Sequence, residues 1–267
     1  PDLFEGSSVR LVRVTGAGVD RLDGAAMKRL GIAVANVAGG SNTALAEYTV
    51  SLALVLMRRF AWADAEIKKG NYVDFRKQMI SENLTGLEDM TVGVIGLGSI
   101  GLAVATAFHR MGSKIVYHDP ALKDPTDADQ ISALALPLED VLKLSDVVTL
   151  HVPLIPETEG LIGDTQLSSM KPGSILIHAA RGGVVDEMAL AQHLTTGHIG
   201  GAAVDVYSSE PPEADNPLFS LNGDAAQRVI FTPHIAGVTR QAWAKLFQVA
   251  WDNVERVLAG NDPINRV

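Results

Sequence analysis

Cysteine is missing from all 267 positions of the sequence. Disulfide bonds, thiolate metal sites and cysteine nucleophiles are therefore excluded, and histidine and carboxylate side chains must carry any acid–base chemistry. A chain without cysteine is compatible with a reducing compartment, and we expect a cytoplasmic protein.

Runs of basic residues are also missing, and the formal net charge is −9. Because nucleic acids and anionic membranes attract basic surfaces, neither is predicted as the main partner. The composition favours a small soluble ligand instead.

Long apolar runs are missing as well. The most apolar stretch, Thr43 to Met57, is too short to span a bilayer and contains Glu47, so we interpret it as a buried or interface helix. The sequence starts at Pro1 without a basic region or an apolar leader, and no secretion signal is predicted. We interpret this start as a truncation.

Two groups of residues predict no site. The histidines at 109, 118, 151, 193 and 198 are scattered, without the metal-ligand spacing or carboxylate grouping that would indicate a bound ion, and no metal is predicted. Trp243, Phe247 and Trp251 recur at helical spacing, and we expect them to be packing residues rather than a ligand cage.

From about Thr91 onward, short β-branched runs alternate with longer helical patterns, which is typical of a parallel α/β sheet. Helices are predicted at Ile100 to Met111 and at Glu187 to Thr196, the second with Asp186 as N-cap and Gly197 as C′ residue. The pattern predicts a Rossmann-type, doubly wound parallel sheet. Its strands are predicted at Thr91 to Ile95, Lys114 to His118, Asp146 to His151, Ser174 to His178, Gly201 to Val206 and Arg228 to Thr232.

The first part of the chain belongs to a different unit. Strands are predicted at Arg10 to Val14 and Ala33 to Asn36, with a helix around Gly24 to Leu30 between them. Long helices are predicted at Ala44 to Lys69 and at Arg240 to Leu258. We therefore predict a smaller, N-terminally incomplete substrate domain at residues 1–38 and 235–267, and a dinucleotide-binding domain at residues 39–234.

A glycine-rich segment, Gly96-Leu97-Gly98-Ser99-Ile100-Gly101, lies between a predicted strand and a predicted helix. In this context backbone N–H groups and the helix N-terminus can face a pyrophosphate. Asp119 follows the second strand, 18 residues after Gly101, where an acidic side chain binds ribose hydroxyls and repels a 2′-phosphate. We predict NAD as the cofactor. The alternatives are a tight strand-to-helix turn at the glycines and a simple turn residue at Asp119.

Three charged side chains, Arg181, Glu210 and His234, follow the strands of the second half. The carboxyl ends of parallel strands line the ligand crevice of an open α/β sheet, so the three can converge. A guanidinium can hold a carboxylate with two hydrogen bonds, and an imidazolium can protonate a carbonyl oxygen as hydride reaches its carbon. A carboxylate on the other imidazole nitrogen would orient the ring. Taken singly, each could instead be a surface ion pair, a solvated turn residue or a loop residue.

Six segments combine into a more specific pattern. They are Gly16-Ala17-Gly18-Val19-Asp20, the glycines at 96–101, His151-Val152-Pro153-Leu154, His178 to Glu187, Asp205 to Pro212 and Thr232 to Gly237. Together they resemble the D-isomer-specific 2-hydroxyacid dehydrogenase family over essentially the whole chain. The resemblance implies an NAD-dependent oxidoreductase that moves a hydride between the cofactor and a small D-2-hydroxy or 2-keto acid. It also implies a flavodoxin-like substrate domain, truncated here, and a homodimer.

The resemblance also assigns roles to residues. Arg181 binds the substrate carboxylate, His234 is the acid–base group, and Glu210 is its partner. Gly16, Ala17, Gly18 and Val19 supply backbone donors to the substrate, with a mere turn as the alternative. The residues implied in cofactor binding are Gly96, Gly98, Ser99, Ile100, Gly101, Asp119, Val152, Pro153, Thr158, Ala180, Arg181, Asp205, His234 and Gly237.

Other functions use the same fold. An NAD-sensing, corepressor-like binding protein is the alternative, and a formate- or phosphite-oxidising enzyme is a third; formate enzymes carry Gln in place of the Glu at 210. The complete set of Arg181, Glu210 and His234 favours the dehydrogenase. The sequence departs from the family at His178, where relatives often carry Asn or Cys, and at Val152, where they often carry Thr. These changes could alter cofactor packing.

Overall fold

The computed structural model describes residues 2–16, 18–19, 22–82, 84–122 and 124–267. The chain forms two compact units: the larger is Leu45–Ala236, and the smaller combines Pro1–Ala44 with Gly237–Val267. The assignment of a substrate domain to the first and last parts of the chain stays a prediction.

The regular elements are numbered in chain order. The strands are β1 (Leu11–Arg13), β2 (Ala33–Ala35), β3 (Thr91–Ile95), β4 (Lys114–His118), β5 (Leu134–Ala135), β6 (Val147–Leu150), β7 (Ile175–His178), β8 (Gly201–Val204) and β9 (Val229–Phe231). The helices are α1 (Gly24–Arg29), α2 (Asn42–Met57), α3 (Phe60–Lys68), α4 (Tyr72–Ser81), α5 (Ser99–Arg110), α6 (Thr126–Gln130), α7 (Leu138–Leu144), α8 (Asp164–Ser169), α9 (Glu187–Thr196), α10 (Gly223–Ala226) and α11 (Arg240–Leu258).

The larger unit is built on a parallel sheet whose seven described strands run in the order β5-β4-β3-β6-β7-β8-β9. Every residue of β6, β7 and β8 is buried, as expected where helices cover both faces of a parallel sheet. The chain runs outward from β3 to β5 and then returns to β6 on the other side of β3. Ligands bind at such a reversal in open α/β sheets. The predicted Rossmann-type sheet is confirmed.

The local signals placed most elements of this sheet correctly. All six predicted strands are present, several of them one or two residues shorter than predicted. α9 has the predicted bounds because Asp186 accepts hydrogen bonds from the N–H groups of Met188 and Ala189, and Gly197 ends the helix with φ 79°. β5 was not predicted, since its two residues are exposed and carry no alternation.

The prediction of one helix from Ala44 to Lys69 is wrong. α2 ends at Met57 and α3 begins at Phe60, because Arg59 between them has φ 55°, a left-handed conformation that cannot continue a right-handed helix. No helix in the described part of the chain combines the length and the apolar character needed to cross a membrane.

The smaller unit has a parallel pair of strands, β1 and β2, and a small core that includes Met27, Ile32 and Val34. In its last segment, the buried side chain of Asn253 accepts from the backbone N–H of Ile264 at 2.7 Å and donates to its oxygen at 2.8 Å. This pair of hydrogen bonds fixes the chain end beside α11.

The aromatic residues of α11 lie on an exposed face of the helix. The rings of Trp243 and Phe247 stack with their centroids 5.1 Å apart, yet the two residues are 39% and 56% exposed, and Trp251 is 63% exposed. Helical spacing identifies a shared face but not whether anything covers that face. Among the described residues, Trp243 and Phe247 pack against each other, and any further packing of this face stays a prediction.

Candidate active site

The turn between β3 and α5 requires glycine at two positions. Gly96 has φ +88°, and a Cβ there would lie 2.6 Å from the carbonyl oxygen of His151. A Cβ at Gly101 would lie 1.9 Å from the carbonyl oxygen of Gly96. The two glycines therefore let the first turn of α5 approach the end of β3 closely.

Gly98 faces open space instead. It is the N-cap of α5, no side chain caps the helix there, and the position of its missing Cβ has no atom within 4 Å. α5 then begins with Ser99 and Ile100, and its first N–H groups form the positive end of the helix dipole. The turn provides the room and the polarity that a pyrophosphate needs.

Asp119 links the end of β4 to the glycine turn. Its Oδ2 accepts from the backbone N–H of Leu97 at 2.7 Å, and its Oδ1 accepts from that of Ala121 at 2.9 Å. Because each carboxylate oxygen has two lone pairs, Asp119 retains acceptor capacity for ribose hydroxyls.

A pocket of about 410 Å³ adjoins Asp119. Its lining is mostly apolar and comes from β4, β5 and the segments that follow them. Mostly apolar walls with a few polar groups are typical of small-molecule sites, and binding of the adenosine half of the cofactor in this pocket stays a prediction. The lining residues are Tyr117, His118, Asp119, Pro120, Leu122, Pro125, Ala135, Leu136 and Pro137.

The loop after β6 lies against the glycine turn. Cγ1 of Val152 is 2.9 Å from the position that a Cβ of Gly96 would take. Further along, Oγ1 of Thr158 donates to the oxygen of Pro153 at 2.6 Å and accepts from the N–H of Ile155 at 3.0 Å. Val152, Pro153 and Thr158 therefore belong to one compact segment beside the turn.

Arg181 follows β7 on a loop that packs tightly against the loop after β8. The preceding residue, Ala180, is buried, and its oxygen accepts from Nη1 of Arg181 at 2.7 Å. A Cβ at Gly182 would lie 1.7 Å from the carbonyl oxygen of Tyr207. This close approach brings the backbone around Arg181 against the segment that leads to Glu210.

Glu210 and His234 form a carboxylate–imidazole pair. Nδ1 of His234 lies 3.0 Å from Oε1 and 2.9 Å from Oε2 of Glu210. The histidine side chain is 44% exposed and the glutamate side chain 21%. Since an ionised carboxylate only accepts hydrogen bonds, Nδ1 carries a proton, and the neutral ring has its lone pair on Nε2. The pair therefore fixes both the tautomer and the orientation of the ring.

Asp205 holds the loop that carries His234. Its backbone oxygen accepts from the N–H of His234 at 2.8 Å, and its carboxylate accepts from those of Ile235 and Ala236 at 2.9 Å each. Successive N–H groups converge in this way when the backbone alternates in handedness, and His234 has φ 55°. Asp205 is buried. Its contact with a cofactor stays a prediction, but its grip on the loop is a feature that the sequence reasoning missed.

Two further side chains missed from the sequence lie behind Asp205. The hydroxyls of Tyr48 and Thr232 are 2.6 Å apart, and Oγ1 of Thr232 donates to Oδ1 of Asp205 at 2.5 Å. The available signal was a tyrosine within the most apolar stretch of the chain, because a buried phenol usually finds a hydrogen-bond partner.

Two histidines near the strand ends have no role in the predicted site. Nδ1 of His151 and Nδ1 of His178 are buried without a hydrogen-bond partner. Burial lowers the pKa of His178 to about 4 and that of His151 to about 3. Both rings are therefore neutral at neutral pH.

Four of the predicted site residues that the structure describes belong to the smaller unit. The oxygen of Gly16 accepts from the N–H of Val37 at 2.9 Å, and Val19 packs against the small core. Gly18 and Gly237 are part of the same unit. Ala17 lies outside the described residues. Substrate contacts by 16–19 and a cofactor contact by Gly237 stay predictions.

Residues 50–236 match the family model described as D-isomer specific 2-hydroxyacid dehydrogenase, NAD binding domain. This match covers nearly all of the larger unit, which contains the glycine turn, Asp119 and the adjoining pocket. The larger unit is an NAD-binding domain, and NAD is its cofactor.

Individual relatives agree with the family match. A D-3-phosphoglycerate dehydrogenase of Archaeoglobus fulgidus is 37% identical over 95% of this chain and 46% of its own length. A putative 2-hydroxyacid dehydrogenase of Haemophilus influenzae is 36% identical over 92% of this chain and 77% of its own length. The chain thus spans about half of the first relative and about three quarters of the second.

A solved structure shows the same fold. The D-lactate dehydrogenase of Aquifex aeolicus, in complex with NAD and lactic acid, has a TM-score of 0.84 and 30% sequence identity to this chain. The match covers 97% of this chain and 80% of that one.

Asp119 leads to a prediction about cofactor choice. NAD should bind more tightly than NADP, because the carboxylate accepts ribose hydroxyls and repels a 2′-phosphate. Asp119→Asn keeps an acceptor for the N–H of Leu97 but removes the negative charge. The ratio of the Kd for NADP to the Kd for NAD should therefore fall by roughly tenfold, which corresponds to about 1.4 kcal/mol of binding free energy. Titration calorimetry with both nucleotides measures the ratio.

Asp124→Asn is the matched control, since it removes an equal charge from an exposed side chain that bonds locally to Thr126. It should leave the ratio unchanged. Equal affinity of the unmodified chain for NAD and NADP would remove Asp119 from the cofactor site.

Proposed function

We propose that this chain, which belongs to the D-isomer-specific 2-hydroxyacid dehydrogenase family, transfers a hydride between NAD(H) and a small D-2-hydroxy or 2-keto acid. The observation that carries the proposal is the hydrogen-bonded pair of His234 and Glu210. It follows the strands at the same edge of the sheet as the glycine turn. Arg181 comes from the neighbouring loop, so a carboxylate-binding cation and an acid–base group are available together.

Arg181 is the proposed holder of the substrate carboxylate. A guanidinium is always charged and presents two parallel N–H donors that match the two carboxylate oxygens. Such a clamp fixes the acid in one orientation, with its carbonyl carbon in a defined place. Orientation of this kind lowers the barrier of a reaction between two bound partners.

His234 is the proposed proton donor and acceptor. During reduction, its Nε2–H gives a proton to the carbonyl oxygen while the carbonyl carbon gains hydride, so that a 2-hydroxy acid is formed. In oxidation, the neutral Nε2 takes the hydroxyl proton. Glu210 stabilises the imidazolium through Nδ1 and keeps Nε2 directed at the substrate. Bound NAD(H) supplies or accepts the hydride.

The proposal extends to an acid class and not to one acid. Two of the three relatives are a phosphoglycerate and a lactate dehydrogenase. Both acids carry a hydroxyl next to a carboxylate and differ beyond it. Arg181 and His234 recognise only that shared part, which supports 2-hydroxy and 2-keto acids as the substrate class.

A cytoplasmic location belongs to the same proposal, supported by the chain's lack of cysteine.

We also propose that a second copy of the chain covers α3 and α4. Among the described residues, α3 has no buried side chain and α4 has only Phe75, although so short a helix pair gains little stability in water without packing. Large apolar side chains are exposed along both helices, which supports a homodimer. They are Phe60, Ile67, Tyr72, Val73 and Ile80.

Substitution of Arg181 tests the carboxylate clamp. Arg181→Lys keeps the charge but loses the planar pair of donors, and one lost charge-assisted hydrogen bond costs about 1.5–3 kcal/mol. We expect kcat/KM for keto-acid reduction to fall by roughly 10- to 150-fold, with the Kd for NADH unchanged. Arg110→Lys, at an exposed position of α5, is the control. Normal kinetics in Arg181→Lys would assign the substrate carboxylate to another group.

Substitution of the pair tests the acid–base role. Steady NADH oxidation with a panel of short 2-keto acids should be seen for the wild type, and its absence would favour a binding protein.

His234→Ala should lose on the order of 10² to 10⁴ in kcat, the usual contribution of one positioned acid–base group. Glu210→Gln removes the charge that stabilises the imidazolium and should lose less. Glu213→Gln, which changes an exposed neighbour, should match the wild type; a similar loss there would mean that Glu210 acts only through local charge.

Light scattering during gel filtration tests the homodimer. The wild type should have twice the mass of one 28.3 kDa chain. Phe60→Ser combined with Ile80→Ser should shift the mass toward one chain, because both changes remove apolar area from the proposed interface. Leu258→Ser, at an exposed apolar position of α11, is the control. A wild type that elutes at the mass of one chain contradicts the homodimer.

A further inference from the structure

A row of three hydrogen-bonded side chains leads from α2 to the loop of His234. It starts at Tyr48 on α2, continues to Thr232 just after β9, and ends on the carboxylate of Asp205 after β8. Tyr48 and Thr232 are 184 residues apart in the sequence.

The direction of hydrogen-bond donation follows from the chemistry of the three groups. An ionised carboxylate only accepts, so the hydroxyl proton of Thr232 points to Asp205. A threonine hydroxyl has one proton, which Asp205 takes, so the proton of Tyr48 points to Thr232 or to Asp205, both of which its hydroxyl contacts. Burial raises the pKa of Tyr48 well above its usual range, so its proton stays in place throughout the range in which proteins are stable. Each bond in such a row polarises the next one.

The last of the three hydrogen-bonded groups is the carboxylate of Asp205, which holds the loop of residues 234–236. Oδ1 of Asp205 receives Thr232 Oγ1 and the N–H of Ile235, and Oδ2 receives the N–H of Ala236. A buried carboxylate is costly unless hydrogen bonds stabilise its charge. Removal of the Thr232 hydroxyl takes away one of these three bonds and leaves Oδ1 free to turn away from the loop.

The position of the loop matters because His234 is held both through its backbone and through its ring. Its backbone N–H donates to the backbone oxygen of Asp205 at 2.8 Å, the N–H groups of the next two residues donate to the Asp205 carboxylate, and its Nδ1 donates to Glu210 at 2.9 Å. Loss of the two carboxylate contacts lets the loop shift and moves the ring relative to Glu210, since φ 55° is an uncommon conformation for a residue other than glycine and needs support from its surroundings.

We propose that Tyr48 and Thr232 are positioning residues, which orient the carboxylate of Asp205 and thereby hold His234 on Glu210. The proposal rests on the proposed function for its kinetic consequence. Its structural consequence is independent of activity. Without the hydrogen bonds of Tyr48 and Thr232, Nδ1 of His234 loses its fixed hydrogen bond to Glu210, and the neutral ring exchanges between its two tautomers.

The tautomer of His234 can be measured directly. In NMR spectra of ¹⁵N-histidine-labelled protein at alkaline pH, we expect the wild-type His234 ring to be the Nδ1–H tautomer. The signals of His234 are identified as those that disappear in His234→Gln. Thr232→Val removes the hydroxyl at constant shape, and the Nδ1 signal should move toward the value of an unprotonated nitrogen. Tyr48→Phe should cause a smaller shift in the same direction. Thr232→Ser keeps a hydroxyl and should restore the wild-type signal.

Activity gives a second readout. Thr232→Val should lower kcat for keto-acid reduction by about 10- to 100-fold, the scale of a misplacement of about 1 Å at an active site, with the Kd for NADH unchanged. Tyr207→Phe is the control for the loss of a buried phenol, because its hydroxyl contacts the backbone oxygen of Thr232 at 3.1 Å and not the side-chain row. It should lower Tm and leave the tautomer of His234 unchanged.

The outcomes separate the two proposals. A wild-type tautomer in both Thr232→Val and Tyr48→Phe overturns the positioning role, as does an equal change in Tyr207→Phe. If Thr232→Val does not fold, Tyr48→Phe with Thr232→Ser decides the question. A shifted tautomer in a chain that reduces no keto acid supports the positioning role and contradicts the proposed function.

Discussion

The grip of Asp205 on three consecutive backbone N–H groups is the interaction on which the candidate site depends. It joins the end of β8 to the segment after β9, and it supports a left-handed conformation at a histidine. The same segment after β8 passes close to Gly182 and leads to Glu210. Three loops that carry charged side chains are thus fixed to one another by backbone contacts, and the precision of the side chains follows from that of the backbone.

The sequence predicted those parts of the fold whose signals are local. Runs such as Thr91 to Ile95 and the capped helix after Asp186 contain their own start and stop residues. The break of the long helix at Arg59 has no such signal, because arginine is an ordinary helix former and only the surrounding structure imposes φ 55° on it. The exposure of Trp243, Phe247 and Trp251 was missed for a related reason: periodicity identifies a face, and burial depends on what packs against that face.

The candidate site shows the same division. Arg181, Glu210 and His234 could be chosen because the ends of parallel strands share one edge of the sheet, and the charge of each suits its proposed role. The sequence offers a signal that Tyr48 has a hydrogen-bond partner, but it does not identify Thr232 as that partner, since a hydrogen bond between residues 184 positions apart depends on the packing of α2 against the strand ends. Asp205 was chosen for a contact with the cofactor, and its part in shaping the loop appears only when its hydrogen-bond donors are known.

The two neutral histidines at the strand ends link folding to proton uptake. The pKa of His178 is lowered to about 4 and that of His151 to about 3, from an ordinary value of 6.5. Below that ordinary value the unfolded chain takes up two protons that the folded chain does not accept, so acid favours unfolding. The stability contributed by these rings is complete above pH 6.5 and declines as the pH falls toward 4 for His178 and toward 3 for His151. The NAD-binding unit therefore has an acid limit set by its interior and separate from the protonation of any residue that touches substrate.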